Sequence, residues 1–297
     1  MNLIWNENAG IKTTPQILAV EKDYLVVYKP PGMHSAPLAA SKDGSILDFC
    51  AGDFPEVAEL HGRKAGEGGL LHRLDYDTQG LLLIARSQKA MEALHGQQKS
   101  GEFIKEYSAL TMDNNENHAN SNPPDDNFAF FELRQIASGF PLLKPVLPFD
   151  FFSGDCRKSF SIMSAFRPYG PGRKEVRPVM LGLLNAGGKM MKPKGLALDM
   201  GNPYVTEILK GQQLSQGINL FFIKLYRGFR HQIRCHLSWL GLPVLNDDLY
   251  GGSAFGKGLL ALRAHALIFN NPSSGERRVY SIPPIEPEEI SDSSGIV

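Results

Sequence analysis

The sequence predicts a strand-rich protein with helices set between its strands. Two observations carry this: runs of β-branched and aromatic residues bounded by turn signals recur from residue 17 to residue 282, and capped helical patterns stand between them near residues 43, 87 and 231. Residues 17–29, ILAVEKDYLVVYK, read as two short strands around a Glu-Lys-Asp turn, and Pro30-Pro31-Gly32 stops the second. Lys29 ends that strand, either as an exposed edge charge or as a cation facing a polyanion. DGSILDFCAGDF (43–54) reads as a capped helix, and GRKAGEGG (62–69) as a flexible basic loop whose glycines do not spell a dinucleotide fingerprint. Ser87 suits the N-cap of a helix running toward Gly101. FIKEYSAL (103–110) alternates as a strand with Phe103, Lys105 and Tyr107 on one side; Tyr107 is by default a core residue whose hydroxyl needs a partner. Residues 204–209 and 218–225 read as a hairpin joined by a polar turn. In RGFRHQIRCHLSWLGLPVLNDDLYGG (227–252), Ile233, Leu237 and Leu240 fall at helical spacing and Gly241 suits the C-cap. Residues 259–269 and 277–282 make a last pair around an Asn-Pro-Ser-Ser-Gly turn.

Composition narrows the function classes. The 297 residues are 42% hydrophobic, and 31 basic side chains balance 31 acidic ones, so a polyanion site must come from local clustering. No apolar stretch approaches the roughly 20 residues of a membrane span. The start, MNLIWNENAG, lacks the basic and apolar regions of a secretory leader, which makes the cytoplasm the expected location. Cys50, Cys156 and Cys235 lie far apart without a C-x-x-C pair, which points to neither a disulfide framework nor zinc. His231 and His236 miss the i, i+4 spacing of two ligands on one helical face, so no metal site is expected. GGSAFGK (251–257) imitates a phosphate-binding loop, but Gly258 stands where Ser or Thr would hold Mg²⁺.

Two stretches carry chemistry. LLHRLDYDTQGLLLIAR (70–86) encloses one ionisable cluster between two apolar runs, with Asp75 at its centre. A carboxylate at the edge of a core needs a partner, and Asp75 fits either a structural turn paired to Arg73 or His72, or a nucleophile. The second stretch hides a local basic cluster: Arg157, Lys158, Arg167, Arg173, Lys174, Arg177, Lys189, Lys192 and Lys194, interleaved with Phe160, Phe166 and Tyr169. Such a segment suits RNA phosphates and stacked bases, and it suits a solvated face equally well.

Together the motifs resemble the RluA-type family of RNA pseudouridine synthases, at five places in chain order. YLVVYKPPGMHSAP resembles the family's first strand and Lys-Pro-x-Gly turn. LLHRLDYDTQGLLLIAR resembles the signature H-R-L-D-x-x-T-S-G-L, whose nucleophilic aspartate falls on Asp75. FIKEYSAL resembles the K-x-Y-x-A strand, with its tyrosine on Tyr107. RHQIRCHLSWLGLPVLNDDLYGG resembles H-Q-I-R-x-H-L-x-x-L-G-x-P-I-x-G-D-x-x-Y-G, with its second arginine on Arg234, and RAHALIFNNPSSGE resembles L-H-A-x-x-L-x-F-x-H-P-x-x-G-E. Three departures stand out: Gln79 for Ser, Phe229-Arg230 for Arg-Thr, and a longer segment between Tyr107 and His231.

The resemblance implies one α+β catalytic domain over residues 1–297, with the pseudouridine synthase fold: a central, mostly antiparallel mixed sheet with flanking helices and an active-site cleft. It carries a polar loop at 113–127, a basic insertion at about 150–200 and no separate N-terminal RNA-binding domain. It also implies isomerisation of uridine to pseudouridine, which changes no oxidation state and needs no cofactor. Asp75 is then the nucleophile, paired to Arg234, which keeps it charged; Tyr107 stacks on the uracil and serves as base. His72, Arg73, Thr78, Lys29, His231, Gln232, Lys174, Arg177 and Lys192 are expected to bind substrate or RNA, Arg73 by filling the space of the unstacked base or by holding the neighbouring phosphate. The partner is ribosomal or transfer RNA, met by a monomer. Two rivals are an RNA-binding protein of the same fold without activity, and a glycoside hydrolase, for which Asp77 is the only nearby second carboxylate.

Overall fold

A computed structural model describes residues 12–38, 44–112, 159–179 and 203–291, together with four short strands inside 131–191. In chain order the elements are β1 (Gln16–Val20), β2 (Tyr24–Lys29), α1 (Ile46–Asp53), α2 (Glu56–Glu59), β3 (Gln79–Ala85), α3 (Gln88–Ser100) and β4 (Ile104–Met112). The short strands β5 (Phe131–Leu133) and β6 (Leu143–Pro145) follow, then β7 (Phe160–Tyr169), β8 (Glu175–Val179), and the short β9 (Leu183–Leu184) and β10 (Met190–Met191). The chain continues through β11 (Tyr204–Gln213), β12 (Ile218–Leu225), α4 (Gln232–Leu240), β13 (Leu262–Asn270), β14 (Arg277–Ser281) and α5 (Pro287–Ile290). The expected polar loop, and Lys192 with part of the basic cluster, lie outside the described residues.

The chain divides into two compact units, one of Met1–Leu110, Lys224–Arg227 and Phe255–Val297, the other of Thr111–Ile223 and Gly228–Ala254. The first is an α+β unit on a mixed sheet in the order β1-β2-β3-β13-β4. Every pairing along it is antiparallel except that of β3 with β13, and β14 extends the same sheet against the later half of β13. β2 and β3 are buried throughout, as their apolar runs require, and Tyr24, Leu83, Phe103 and Phe269 help form the core against α3. The helices start where the sequence places them: Ser45 and Asp48 form a capping box, and the Ser87 hydroxyl accepts from the Ala90 amide. Phe103, Lys105 and Tyr107 share one buried side of β4, following its alternation.

In the second unit the sheet runs β12-β11-β7-β8, with β11–β7 and β7–β8 antiparallel. α4 ends on Gly241 at φ +88, a left-handed turn that glycine adopts without steric cost. Phe160 and Phe166 of the basic segment are buried. Phe166 stacks on Phe229 at 5.1 Å between ring centroids, beside Tyr204 and His236. Phe229, a departure from the family pattern, is therefore a packing residue.

Candidate active site

Asp75 stands in the loop between Leu70-Leu71 and β3, and that loop is clamped on both sides of the carboxylate. The Leu70 backbone bridges to Ile84, so the first apolar run packs on β3 without forming a long strand of its own. Before Asp75, the Ser35 hydroxyl donates to the Leu74 carbonyl at 2.9 Å and accepts from the Leu74 amide at 3.0 Å. After it, the Tyr76 carbonyl accepts from the Gly32 and Met33 amides, and the Thr78 amide donates to the Asp75 carbonyl at 3.1 Å. Lys29 completes the clamp. β2 pairs with β3 so that Lys29 lies opposite Gly80, and its Nζ donates to the carbonyls of Tyr76 (2.8 Å), Met33 (2.7 Å) and Pro30 (2.9 Å). Ser35 is the residue that sequence reasoning missed here; its signal was its place just after the Lys-Pro-x-Gly turn.

The geometry corrects several expectations. Lys29 is 0% exposed and committed to three carbonyls, so it braces the loop and does not reach a phosphate. Burial pushes its ammonium down to about 7, while the charges of Asp75 and Asp77 act in the opposite sense. Thr78 is 2% exposed and its hydroxyl is closed off without a partner, so its contribution is the backbone turn. Gln232 is equally internal: its amide accepts from the Phe229 amide and donates to Val205 O and the Thr206 hydroxyl, each at 3.0 Å. Arg177 pairs with Glu175 at 2.8 Å and lies over the Tyr169 ring at 4.9 Å, which makes it a brace of the β7–β8 hairpin.

The structural-pair reading of Asp75 loses both of the partners it invoked. Arg73 Nη1 goes to Glu67 at 3.1 Å, with half of the Arg73 side chain left exposed. His72 packs edge-on to Phe103, both its ring nitrogens are buried without a partner, and burial holds it well below the ordinary histidine range. Tyr107 is 6% exposed, and its phenol is pushed upward, first by burial and then by the charge of Asp75, so the two groups share one electrostatic environment. Such a phenol keeps its proton at neutral pH. Its ring and its O–H are what it offers a substrate, and its role as base stays an expectation of the sequence.

In the second unit, Arg234 Nε and Nη2 each reach an oxygen of the buried Asp247 at 2.7 Å, a bidentate pair under the Tyr250 ring. The sequence reading missed Asp247, although it occupies the aspartate of the pattern P-I-x-G-D-x-x-Y-G. Asn246 takes the left-handed φ of +61 at that pattern's glycine. His231 caps α4 with its own backbone at φ +55 and shares a hydrogen bond of 3.1 Å with the Tyr250 hydroxyl. Asp75 and Arg234 belong to different units, so their pairing stays an expectation of the sequence. At the β7–β8 turn, Arg167, Arg173 and Lys174 are exposed, and Arg230 reaches over to donate to Arg173 O (2.6 Å) and Glu175 O (3.1 Å).

Among the described residues no group of three or more His, Cys, Asp or Glu is arranged to hold a metal, and no helix is long and apolar enough to cross a membrane. A family model described as RNA pseudouridylate synthase matches residues 23–239. Among curated proteins, the chain is 24% identical over 292 residues to ribosomal large subunit pseudouridine synthase D of Vibrio vulnificus (strain CMCP6), covering 90% of this chain and 66% of that protein. It is 25% identical over 269 residues to ribosomal large subunit pseudouridine synthase C of Escherichia coli (strain K12), covering 88% and 64%. The chain thus spans just under two thirds of the length of these relatives. Among solved structures, human RNA pseudouridylate synthase domain containing 4 superposes with a TM-score of 0.54 at 18% identity, over 90% of this chain and 88% of that one. Human RNA pseudouridylate synthase domain containing 1 gives 0.51 at 19%, over 94% and 86%. At these identities the structures establish a shared fold.

Proposed function

The chain belongs to the RNA pseudouridylate synthase family, and from that premise we propose that it isomerises uridines of a structured RNA to pseudouridine with Asp75 as the nucleophile. One observation carries the assignment to Asp75: its loop is fixed on both flanks, by Ser35 at Leu74 and by Lys29 at Tyr76. A positioned carboxylate is what attack on a nucleoside requires. In the reaction the N1–C1′ bond breaks, the base turns while bound, and a C5–C1′ bond forms as the C5 proton leaves to solvent and N1 gains one. Electrons balance without an oxidant or reductant. Tyr107 packs its ring on the uracil and donates its phenolic hydrogen bond.

The uridine must leave its stack, at about a few kcal/mol per base. Arg73, half exposed beside the nucleophile, fills the vacated space, and phosphate contacts from Lys174, Arg173 and Arg167 on the β7–β8 hairpin offset the cost. Ribosomal RNA is the first substrate to test, because the relatives named above carry the ribosomal large subunit in their names. The test is tritium release from 5-tritiated uridine in total RNA by wild type and Asp75→Ala. Release by wild type alone is expected; no release from any cellular RNA, or equal release by both, contradicts the assignment.

A further inference from the structure

Gln79, the residue that departs from the family's Ser, is the first residue of β3 and lies opposite Arg263 in the parallel pairing with β13. The approach is close. Gly80 has φ +127, and a side chain there would strike the Ala264 backbone. Arg263 is 1% exposed and donates in every direction: Nε and Nη2 to Gln79 Oε1 (3.3 and 3.1 Å), Nη1 and Nη2 to the two Glu289 oxygens (2.9 and 2.5 Å), and Nη1 also to the carbonyls of Pro283 and Pro284. The Tyr28 hydroxyl donates to the same Gln79 oxygen at 2.9 Å. Those donors determine the amide orientation, since its NH₂ group in that place would face the guanidinium.

The same C-terminal segment grips the neighbouring strand. The Ile285 amide donates to the Ser108 hydroxyl at 2.8 Å, and Ser108 follows Tyr107 on β4 and lies opposite Arg263 on β13. Residues 283–290 are therefore tied to the strand that starts four residues after Asp75 and to the residue next to Tyr107. We infer that this segment is a latch that registers the Asp75 loop against Tyr107, with Glu289, Arg263 and Gln79 as positioning residues; the catalytic part of the inference rests on Asp75 as nucleophile. The path is short: Gln79 adjoins Thr78, whose amide closes the turn on the Asp75 carbonyl. Removing the Glu289 charge leaves a buried guanidinium without its carboxylate, and the disturbance reaches the start of β3 through the Gln79 side chain that the guanidinium holds.

The test compares wild type with Glu289→Gln and Glu289→Asp at a temperature where circular dichroism shows all three folded. Amide hydrogen exchange and the steady-state constants on an RNA that wild type modifies are the readouts. Glu289→Gln is expected to lower kcat at least tenfold with KM within twofold, and to speed exchange at Thr78 while Leu82 and Ile84 in mid-β3 keep their rates; Glu289→Asp recovers part of kcat. If Glu289→Gln does not fold, Gln79→Ala is expected to give the same kcat loss and local exchange. An unchanged kcat, or exchange accelerated equally along all of β3, overturns the latch. A wild type inactive on every RNA overturns Asp75 as nucleophile, and the exchange pattern still decides the latch.

Discussion

Lys29 has no exposed surface, and three carbonyls surround its ammonium. Hydrogen bonds from a charged donor contribute about 1.5–3 kcal/mol each, against which the desolvation of the ammonium works. Lys29→Met is therefore expected to lower stability by roughly 2 kcal/mol in urea titrations and to reduce turnover by loosening Tyr76. It is also expected to leave the salt dependence of RNA binding unchanged, which an exposed phosphate contact would not do. A sequence shows that a lysine ends a strand, but not whether its charge meets solvent or is consumed by nearby carbonyls. The same ambiguity made Thr78 and Gln232 look like substrate ligands. Asp75 stood out as a carboxylate between two apolar runs, but that position fits a structural turn and a nucleophile alike, and only the order of the surrounding motifs favoured the nucleophile proposed here.

At the scale of elements, the β7–β8 hairpin and α4 obey different physics. The hairpin presents Arg167, Arg173 and Lys174 to solvent while Arg230 holds its turn, so its cations are available to phosphates. Replacing these three with Gln is expected to reduce the salt slope of RNA binding by about two to three, at 0.7–0.9 per phosphate contact, whereas Arg177→Gln leaves it unchanged; an unaltered slope in the triple variant returns the hairpin to a solvated face. α4 buries His236 between the hydroxyls of Ser164 (2.8 Å) and Thr206 (2.7 Å), and burial lowers it from 6.5 to about 3. Between those values the unfolded chain holds a proton that the folded chain lacks. Stability is thus full above pH 6.5 and falls as pH drops toward 3, by up to about 1.4 kcal/mol per pH unit. Urea midpoints from pH 7 to pH 4 are expected to fall less steeply in His236→Gln. That helix was readable from Ile233, Leu237 and Gly241, but the setting of its histidine was not, because sequence spacing does not reveal which hydroxyls other strands supply.

For the whole molecule, the strand-rich α+β reading and the order of five motifs made the family legible, while the division into two units did not show in the sequence. Length and composition carry no information on how strands whose paired residues lie 184 positions apart in the chain join one sheet, as β3 and β13 do through Gln79 and Arg263. The region between Met112 and Phe160 offered neither a clear period nor a motif, and its reading stopped at composition. The central claim is that one carboxylate makes this chain an RNA-modifying enzyme, and it is measured most directly in cells. Pseudouridines are mapped in ribosomal and transfer RNA from cells lacking the gene, complemented with wild type or with the isosteric Asp75→Asn. At least one uridine is expected to be converted with wild type and to stay uridine with Asp75→Asn; an identical pseudouridine map in the two complemented strains would contradict the account.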